Sequence, residues 1–582
     1  MSAGSISTAP AGAGALPAPR GARRRGTALQ TAVWVATAGL VVVPLLPLVY
    51  ASFRSRPLYE AGGALTLQGY RDLLSDPAFW RAVRSTLEFA VTCTAISVGW
   101  GTALAVLVER TDLFGRKVLG GLALLPLLLP PLGLIMGWTT LYGDGGYLTA
   151  TITGTLHLPW DLGTPWGMGV MGGSVATPVA FIIVRSALRG ADASLEEAAR
   201  TTGASTPMIL RRITIPMLRP AILNAALLIF TVSLEQLGIP LFLGAAHDVN
   251  FVASYLYETW SSSDVPDPAS VSAGAVLLLV VATGLIVLRQ RLLGAELRFV
   301  SARGAMVQRL PLGRARVPLA AAVLAVIIVT TIGPVGGVIL ASFVSLLTPL
   351  LSPFGLLTLD NFHTALHDPA LRASIRNSVI VGVAGAAATT GLIGVATLVA
   401  HRSAFALRHA LRFLMLYPRS IPGIIVSLAF FWSFLFFDPP GGALRNNLAG
   451  EALALAVRGI PLAYMIMAPS LARIGAELDD AARVSGASWW TTSRRIVLPQ
   501  LRPAIVGSLT ILFVAIVNDY EAAVFLAKPG TELMGVEMLR QYAQGTEGPV
   551  AAMAVIQLGI TVVVLSLGGL LVWLFNRGGH RA

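Results

Sequence analysis

Residues 195–222 read LEEAARTTGASTPMILRRITIPMLRPAI, and residues 478–505 read LDDAARVSGASWWTTSRRIVLPQLRPAI. At a constant offset of 283 residues, 16 of the 28 aligned positions are identical without a gap. The chain is therefore a tandem duplication, with one copy of the same element in each half. Both copies sit in basic gaps between strongly apolar segments.

Composition sets the class. Of 582 residues, 55% are hydrophobic and 12% charged, against about 25% charged in a soluble protein. The mean hydropathy is +0.73. This predicts a polytopic membrane protein with no separate soluble domain. The formal net charge of +13 does not point to nucleic acid, because the arginines concentrate between apolar segments, where they meet lipid headgroups and hold topology. The single cysteine, Cys93, cannot form an intrachain disulfide and argues for neither redox chemistry nor a thiolate metal site.

Apolar runs of about twenty residues predict an all-α fold of about 12 transmembrane helices, six per half. The first six are Thr31–Phe53, Arg84–Val108, Val118–Tyr142, Gly167–Leu188, Pro220–Gly244 and Ala269–Leu288. The second six are Val317–Val344, Asn377–Ala400, Ala410–Phe434, Glu451–Leu471, Pro503–Ala527 and Ala551–Phe575. The halves divide as residues 27–300 and 301–582. Residues 1–26, rich in Ala, Gly, Pro, Ser and Arg, read as a disordered cytoplasmic tail. The apolar run after them exceeds a signal-peptide core of about seven to fifteen residues and reads as a retained first helix.

Loop arginines place both termini, the mid-chain connector and both repeated elements in the cytoplasm. One loop disagrees: Arg54, Arg56, Arg71, Arg81 and Arg84 follow the first helix and fall outside on this count.

Each repeated element opens as a short helix. Ser194 precedes Glu197 by three residues, the spacing of a capping box, whereas the second copy has Glu477 there. Ala198, Ala199, Ala481 and Ala482 permit close approach, and Gly203 and Gly486 permit a turn that a β-carbon resists. A second helical stretch follows, which Pro216 and Pro499 are expected to break before Pro220 and Pro503 open membrane helices. The expected product is a helix–turn–helix along the cytoplasmic face. Orientation alone explains one such arginine-bearing loop better than two matching ones; a partner presenting the same docking surface twice explains both.

The pattern Glu197-Ala198-Ala199, Gly203, Ile213-x-x-Pro216 resembles the EAA loop of ABC-importer permeases, and Asp480-Ala481-Ala482, Gly486, Ile496-x-Leu498-Pro499 resembles it again. Asp480 stands where Glu is usual, and Ile215 where Leu is usual. The resemblance covers nearly the whole chain and is closest in outline to fused permeases of the iron(III) type, whose relatives also serve 2-aminoethylphosphonate, thiamine and polyamines. It implies partners: two copies of a cytoplasmic ABC ATPase contacting the loops, and an extracytoplasmic substrate-binding protein. On it, Arg211, Arg212, Arg494 and Arg495 contact the ATPase or lipid headgroups, and Trp489 and Trp490 anchor in the ATPase groove or the headgroup layer. The implied location is the bacterial inner membrane.

The chain reads as a conduit and not a motor. Its only lysines, Lys117 and Lys528, are followed by Val118 and Pro529, so neither belongs to a G-x-x-x-x-G-K-[ST] loop. No cofactor and no catalytic residue is expected. Intramembrane charges are costly and usually face a cavity or a partner. Glu235, set mid-helix by the apolar pattern, and Asn518, Asp519 and Glu521 in the other half are path candidates, or else polar glue between helices. Arg419, between Pro418 and Pro422, marks a broken helix or a kink with a snorkelling arginine. His363 and His367 could share a helical face, but no third ligand sits at a convincing spacing, so no metal site is predicted. Two rivals remain: a secondary transporter, which also pairs six-helix halves, and a membrane enzyme using Asp479 and Asp480.

Overall fold

The computed structural model describes residues 20–578 except 61, 150, 156, 158, 192–193, 262–266, 294–308, 349–350, 438–441, 443 and 476. Among the described residues eight helices are long and apolar enough to cross a membrane, and four sharply bent helix pairs bring the total to as many as twelve. In chain order these are α1 (Ala28–Ser52), α2 (Pro77–Arg110), α3 (Arg116–Leu128 with Pro131–Tyr142), α4 (Pro165–Gly190), α5 (Thr206–Met217 with Arg219–Ser233) and α6 (Pro268–Leu293). The second half repeats them as α7 (Gly313–Ser342), α8 (Pro369–Arg402), α9 (Arg408–Ser420 with Gly423–Phe437), α10 (Leu448–Ala472), α11 (Trp489–Gln500 with Arg502–Asn518) and α12 (Glu547–Arg577). The all-α architecture in two homologous halves matches the reading of the apolar runs. The helix carrying α1 begins at Arg20, so Arg20–Gly26 are helical and not part of an unstructured tail; residues 1–19 lie outside the described residues.

Local chemistry explains the boundaries. α2 and α8 both open Asp-Pro-Ala: Asp76 Oδ1 accepts from the Ala78 amide at 2.8 Å, and Asp368 Oδ1 from Ala370 and Leu371 at 2.9 and 3.0 Å. An N-cap carboxylate satisfies amides that lack helical partners, and proline at the first position removes one such amide. The duplication thus extends beyond the loops. α3 bends by 107° at Leu129–Pro130 and α9 by 109° at Ile421–Pro422, where proline supplies no N–H to continue the ladder.

The halves exchange arms. The helix of α1 packs on α8 and on the first leg of α9, while α7 packs on the first leg of α3. The second legs follow suit: Pro131–Tyr142 lies on the Gly333–Ser342 part of α7, and Gly423–Phe437 on the Leu45–Ser52 part of α1. Gly137 meets the Pro334 carbonyl so closely that a β-carbon has no room. Trp432 of α9 donates to Ser272 Oγ of α6 at 3.0 Å, and Tyr142 to the Val329 carbonyl at 2.8 Å. Outward faces carry Val280, Val329, Val563, Leu567 and Leu571, all exposed, a belt suited to lipid contact. At the end of α12, Arg577 covers the Trp573 ring at 3.7 Å, a cation–aromatic pair of the kind found at membrane interfaces.

Candidate coupling loops and translocation path

The repeated elements fold as helix–turn–helix units. Ser194–Thr201 and Glu477–Val484 form the leading helices, and Gly203 and Gly486 turn them with φ of +84° and +78°. That left-handed region strains residues bearing a β-carbon. The expected break at proline is displaced. The helical path runs through Pro216 to Met217 and through Pro499 to Gln500, and the bends of 62° and 70° follow there. Each proline occupies the first turn of a short helical segment, where its missing N–H costs little, and so does not interrupt it.

What fastens each loop was not legible in the motif. Arg110 closes α2, and its Nε lies 3.4 Å from Glu196 Oε1, with both side chains nearly inaccessible at 1% and 3% exposure. The same carboxylate accepts from Thr214 Oγ1 at 2.8 Å, and Arg110 Nη2 donates to the Ala191 carbonyl at 3.4 Å. In the other half Arg402 closes α8, and its Nη1 lies 2.6 Å from Asp479 Oδ2. Arg402 Nη2 donates to the Leu471 carbonyl at 3.0 Å and also to that of Ile474. In both copies the first acid of the motif turns inward to an arginine and the second turns outward: Glu197 and Asp480 are exposed. This arrangement does not favour Asp479 and Asp480 as a paired catalytic set.

Around these anchors, Ala198, Gly203, Arg211, Arg212, Ala481, Gly486, Arg494 and Arg495 are exposed, Ala199, Pro216 and Pro499 are half-buried, and Ala482 is buried. Trp489 is half-buried: its Nε1–H donates to the Arg402 carbonyl at 2.8 Å, and its ring packs beside Leu398, Leu471 and Val497, contacts within its own chain that the motif did not announce. Trp490 is 41% exposed. In the first loop Thr206, which stands where the second has Trp489, donates its Oγ1–H to the Pro311 carbonyl at 3.0 Å.

The four path candidates come together around one cavity of about 470 Å³, bounded by both halves and lined by Glu235, Asn518, Asp519 and Glu521 with Arg419 and Arg458. Their placement differs from the sequence reading. The expected helices to Gly244 and Ala527 stop at Ser233 and Asn518, so Glu235 lies beyond a helix end, not midway along it. A separate helical turn, Pro240–Gly244, begins beyond it at Pro240, where a missing N–H costs little. Glu235 Oε2 accepts from the Gly423 amide at 3.2 Å, at the start of the second leg of α9, where a carboxylate is favoured by the helix dipole. Arg458 of α10 holds both other acids, with Nε 2.9 Å from Asp519 Oδ2 and Nη1 3.2 Å from Glu521 Oε2. Gln557 of α12 donates to Asn518 Oδ1 at 3.0 Å. Arg458 carried no motif, and only its intramembrane charge could have signalled it.

A second cavity of about 570 Å³ shares Val232, Glu235 and Arg419 with the first and extends toward Arg289 and Leu293 at the loop end of α6. Arg419 thus sits at a genuine break in α9. On the other side, the Tyr520 hydroxyl seats against Gly238, leaving no space for a side chain there. The Arg-rich segment after α1 lies on the face opposite the loops, beside the start of α6, where Ser270 Oγ donates to the Gly69 carbonyl at 3.3 Å. His363 and His367 stack at 4.0 Å on an exposed helix.

The family model described as binding-protein-dependent transport system inner membrane component matches residues 96–298 and again 392–573. The chain belongs to that family. Both matches contain one duplicated loop and its anchoring acid, so this ABC transporter permease carries two family units in one polypeptide. The permease is 25% identical over 513 residues to a candidate ferric transport system permease protein of Haemophilus influenzae, covering 85% of this chain and 76% of that one. It is 26% identical over 503 residues to the ferric transport system permease protein of Actinobacillus pleuropneumoniae, covering 83% and 70%. One part of the permease is 32% identical over 202 residues to the putrescine transport system permease protein of Escherichia coli, covering 34% and 68%.

Proposed function

We propose that this chain is the conduit of an importer for iron(III), located in the bacterial inner membrane with both termini in the cytoplasm. A separate extracytoplasmic binding protein delivers the cargo, and two copies of a cytoplasmic ATPase drive it. The observation that carries the reading is the pair of loops, each turned by a left-handed glycine and clamped to its own membrane span by an arginine–acid pair. A clamp of that kind transmits a push on the loop to α2 or α8 as a rigid body, and alternating access follows when the two halves rock about the shared cavities. Glu197, Ala198, Arg211 and Arg212, with Asp480, Ala481, Arg494 and Arg495, present the docking surface. Iron is favoured by the ferric permeases among the relatives.

A polyamine cargo is the second reading. The acids Glu235, Asp519 and Glu521 suit an organic cation, and the putrescine permease of Escherichia coli is a relative of one part of the chain. Proteoliposomes containing this chain, the ATPase and the binding protein distinguish them. Cargo-stimulated ATP hydrolysis with iron(III) and not putrescine supports the first reading, and the reverse supports the second. Uptake without any ATPase would return the secondary transporter.

A further inference from the structure

Away from the path and the loops, three ligand-type side chains meet on the opposite face. Asp144 follows α3, Asp161 leads into α4, and His247 ends the short turn Ala245–His247. The face is fixed by α7. Its start is tied to the loop side, where the Leu310 amide donates to the Arg110 carbonyl at 2.8 Å. Beyond its far end, the Thr348 carbonyl accepts from Tyr147 of the Asp144 segment at 3.2 Å.

His247 Nε2 lies 2.9 Å from Asp144 Oδ2 and 3.9 Å from Asp161 Oδ1. One ligand atom from each of the three residues falls within 4.8 Å of the others. Donors on a metal with bonds of about 2.1 Å sit about 3.0–3.5 Å apart, so small side-chain rotations close the set. His247 and Asp161 are held in place, while the Asp144 carboxylate is 72% exposed and open to an arriving ion. His247 Nδ1 is 3.1 Å from the Leu243 carbonyl; a carbonyl only accepts, so Nδ1 carries a hydrogen, and Nε2, 2.9 Å from Asp144 Oδ2, holds either a proton shared with that carboxylate or, with the proton displaced, a metal ion. The ring lies on Gly163, where a β-carbon would overlap it, and the Gly163 amide donates to Asp161 Oδ1 at 2.8 Å. Asp144 also lines a cavity of about 390 Å³ whose far wall includes Glu547 and Tyr542 of the other half.

We propose that Asp144, Asp161 and His247 form a site for a transition-metal cation at the mouth between the halves, on the face away from the ATPase. Two hard oxygen donors and one imidazole suit iron, manganese, cobalt or zinc. Three protein ligands leave positions for water or for a donor arriving with the ion, as an exchangeable site requires. The site goes beyond the iron-import reading, because it holds a metal whether that metal is cargo or a clamp between segments.

The test reads binding without transport, so its failure and that of the import reading are separable. The full-length chain in lipid nanodiscs, stripped with chelator, is titrated with Co(II) and followed by visible absorption and equilibrium dialysis. The wild type is expected to bind one equivalent. His247→Ala and Asp144→Asn should weaken binding by at least about 10-fold, whereas His367→Ala should leave it unchanged. His247→Cys should bind Co(II) with a new thiolate charge-transfer band, a gain that a misfolded variant does not give. Equal Co(II) binding by all variants, no binding by the wild type, or a His247→Cys spectrum without that band would overturn the assignment.

Discussion

Arg110 at the end of α2 and Glu196 in the first loop form a buried ion pair at 3.4 Å, and Arg402 and Asp479 repeat it in the second half at 2.6 Å. The repeats are unequal in burial: Glu196 is 3% exposed and Asp479 20%. Breaking a buried pair from one side leaves a charge without its counter-ion and costs about 3–5 kcal/mol. Arg110→Met is therefore expected to destabilise the purified chain strongly, and the double variant Arg110→Met with Glu196→Leu to recover much of the loss. Asp479→Asn should cost less than Glu196→Gln. Thermal unfolding in detergent, followed by tryptophan fluorescence, checks the order; equal costs for the two acid variants would contradict it.

Gly203 and Gly486 have open space around the missing side chain, so only backbone conformation resists substitution. A β-branched residue in the left-handed region costs roughly 1–2 kcal/mol or more, and asparagine less. Cargo-stimulated ATP hydrolysis should fall in the order Gly, Asn, Val at either position while the complex still assembles. An unordered series, or loss of assembly in step with activity, would point to folding instead of coupling.

Arg458 serves Asp519 and Glu521 together. Arg458→Met alone is expected to lower both stability and uptake, because two carboxylates lose their cation in a partly buried site. Adding Asp519→Asn and Glu521→Gln should restore thermal stability toward wild type without restoring uptake. Recovery of uptake in the triple variant would reduce the cluster to structural glue.

The adjacent tryptophans should separate. Trp489→Phe removes the N–H donated to the Arg402 carbonyl and should cost about 1 kcal/mol of stability. Trp490→Ala should leave thermal unfolding unchanged and weaken capture of the ATPase on immobilised permease. If Trp490→Ala instead lowers the unfolding temperature as Trp489→Phe does, the docking role falls.

Much of this architecture was legible in the residues themselves. Apolar runs locate the spans because hydrocarbon demands length and little else, and the loops announce themselves by repetition. Hydropathy fails at Glu235, since the run continues through Ile239 to Leu243 after the helix has ended at Ser233. An apolar count does not register a backbone break, here closed by turn bonds from the Glu235 amide to the Val232 carbonyl and from the Gln236 amide to the Ser233 carbonyl. Nor could the motif reveal Arg110, which lies in a different apolar segment and meets Glu196 only after α2 and α4 pack. Asp144, Asp161 and His247 are likewise scattered along the chain and share no ligand spacing.

The exchanged arms impose an order on biogenesis. α1 leaves the ribosome long before α8 and α9, the spans it rests on. At about 5–20 residues per second that delay is some tens of seconds. Throughout it the newborn helix has only lipid and its own half for company, a wait suited to a span with an apolar stretch only one-third buried in the finished molecule. A chain whose synthesis stops in the connector would leave both α1 and the first leg of α3 without their covers. The interlacing thus makes completion of the second half a condition for the first to mature.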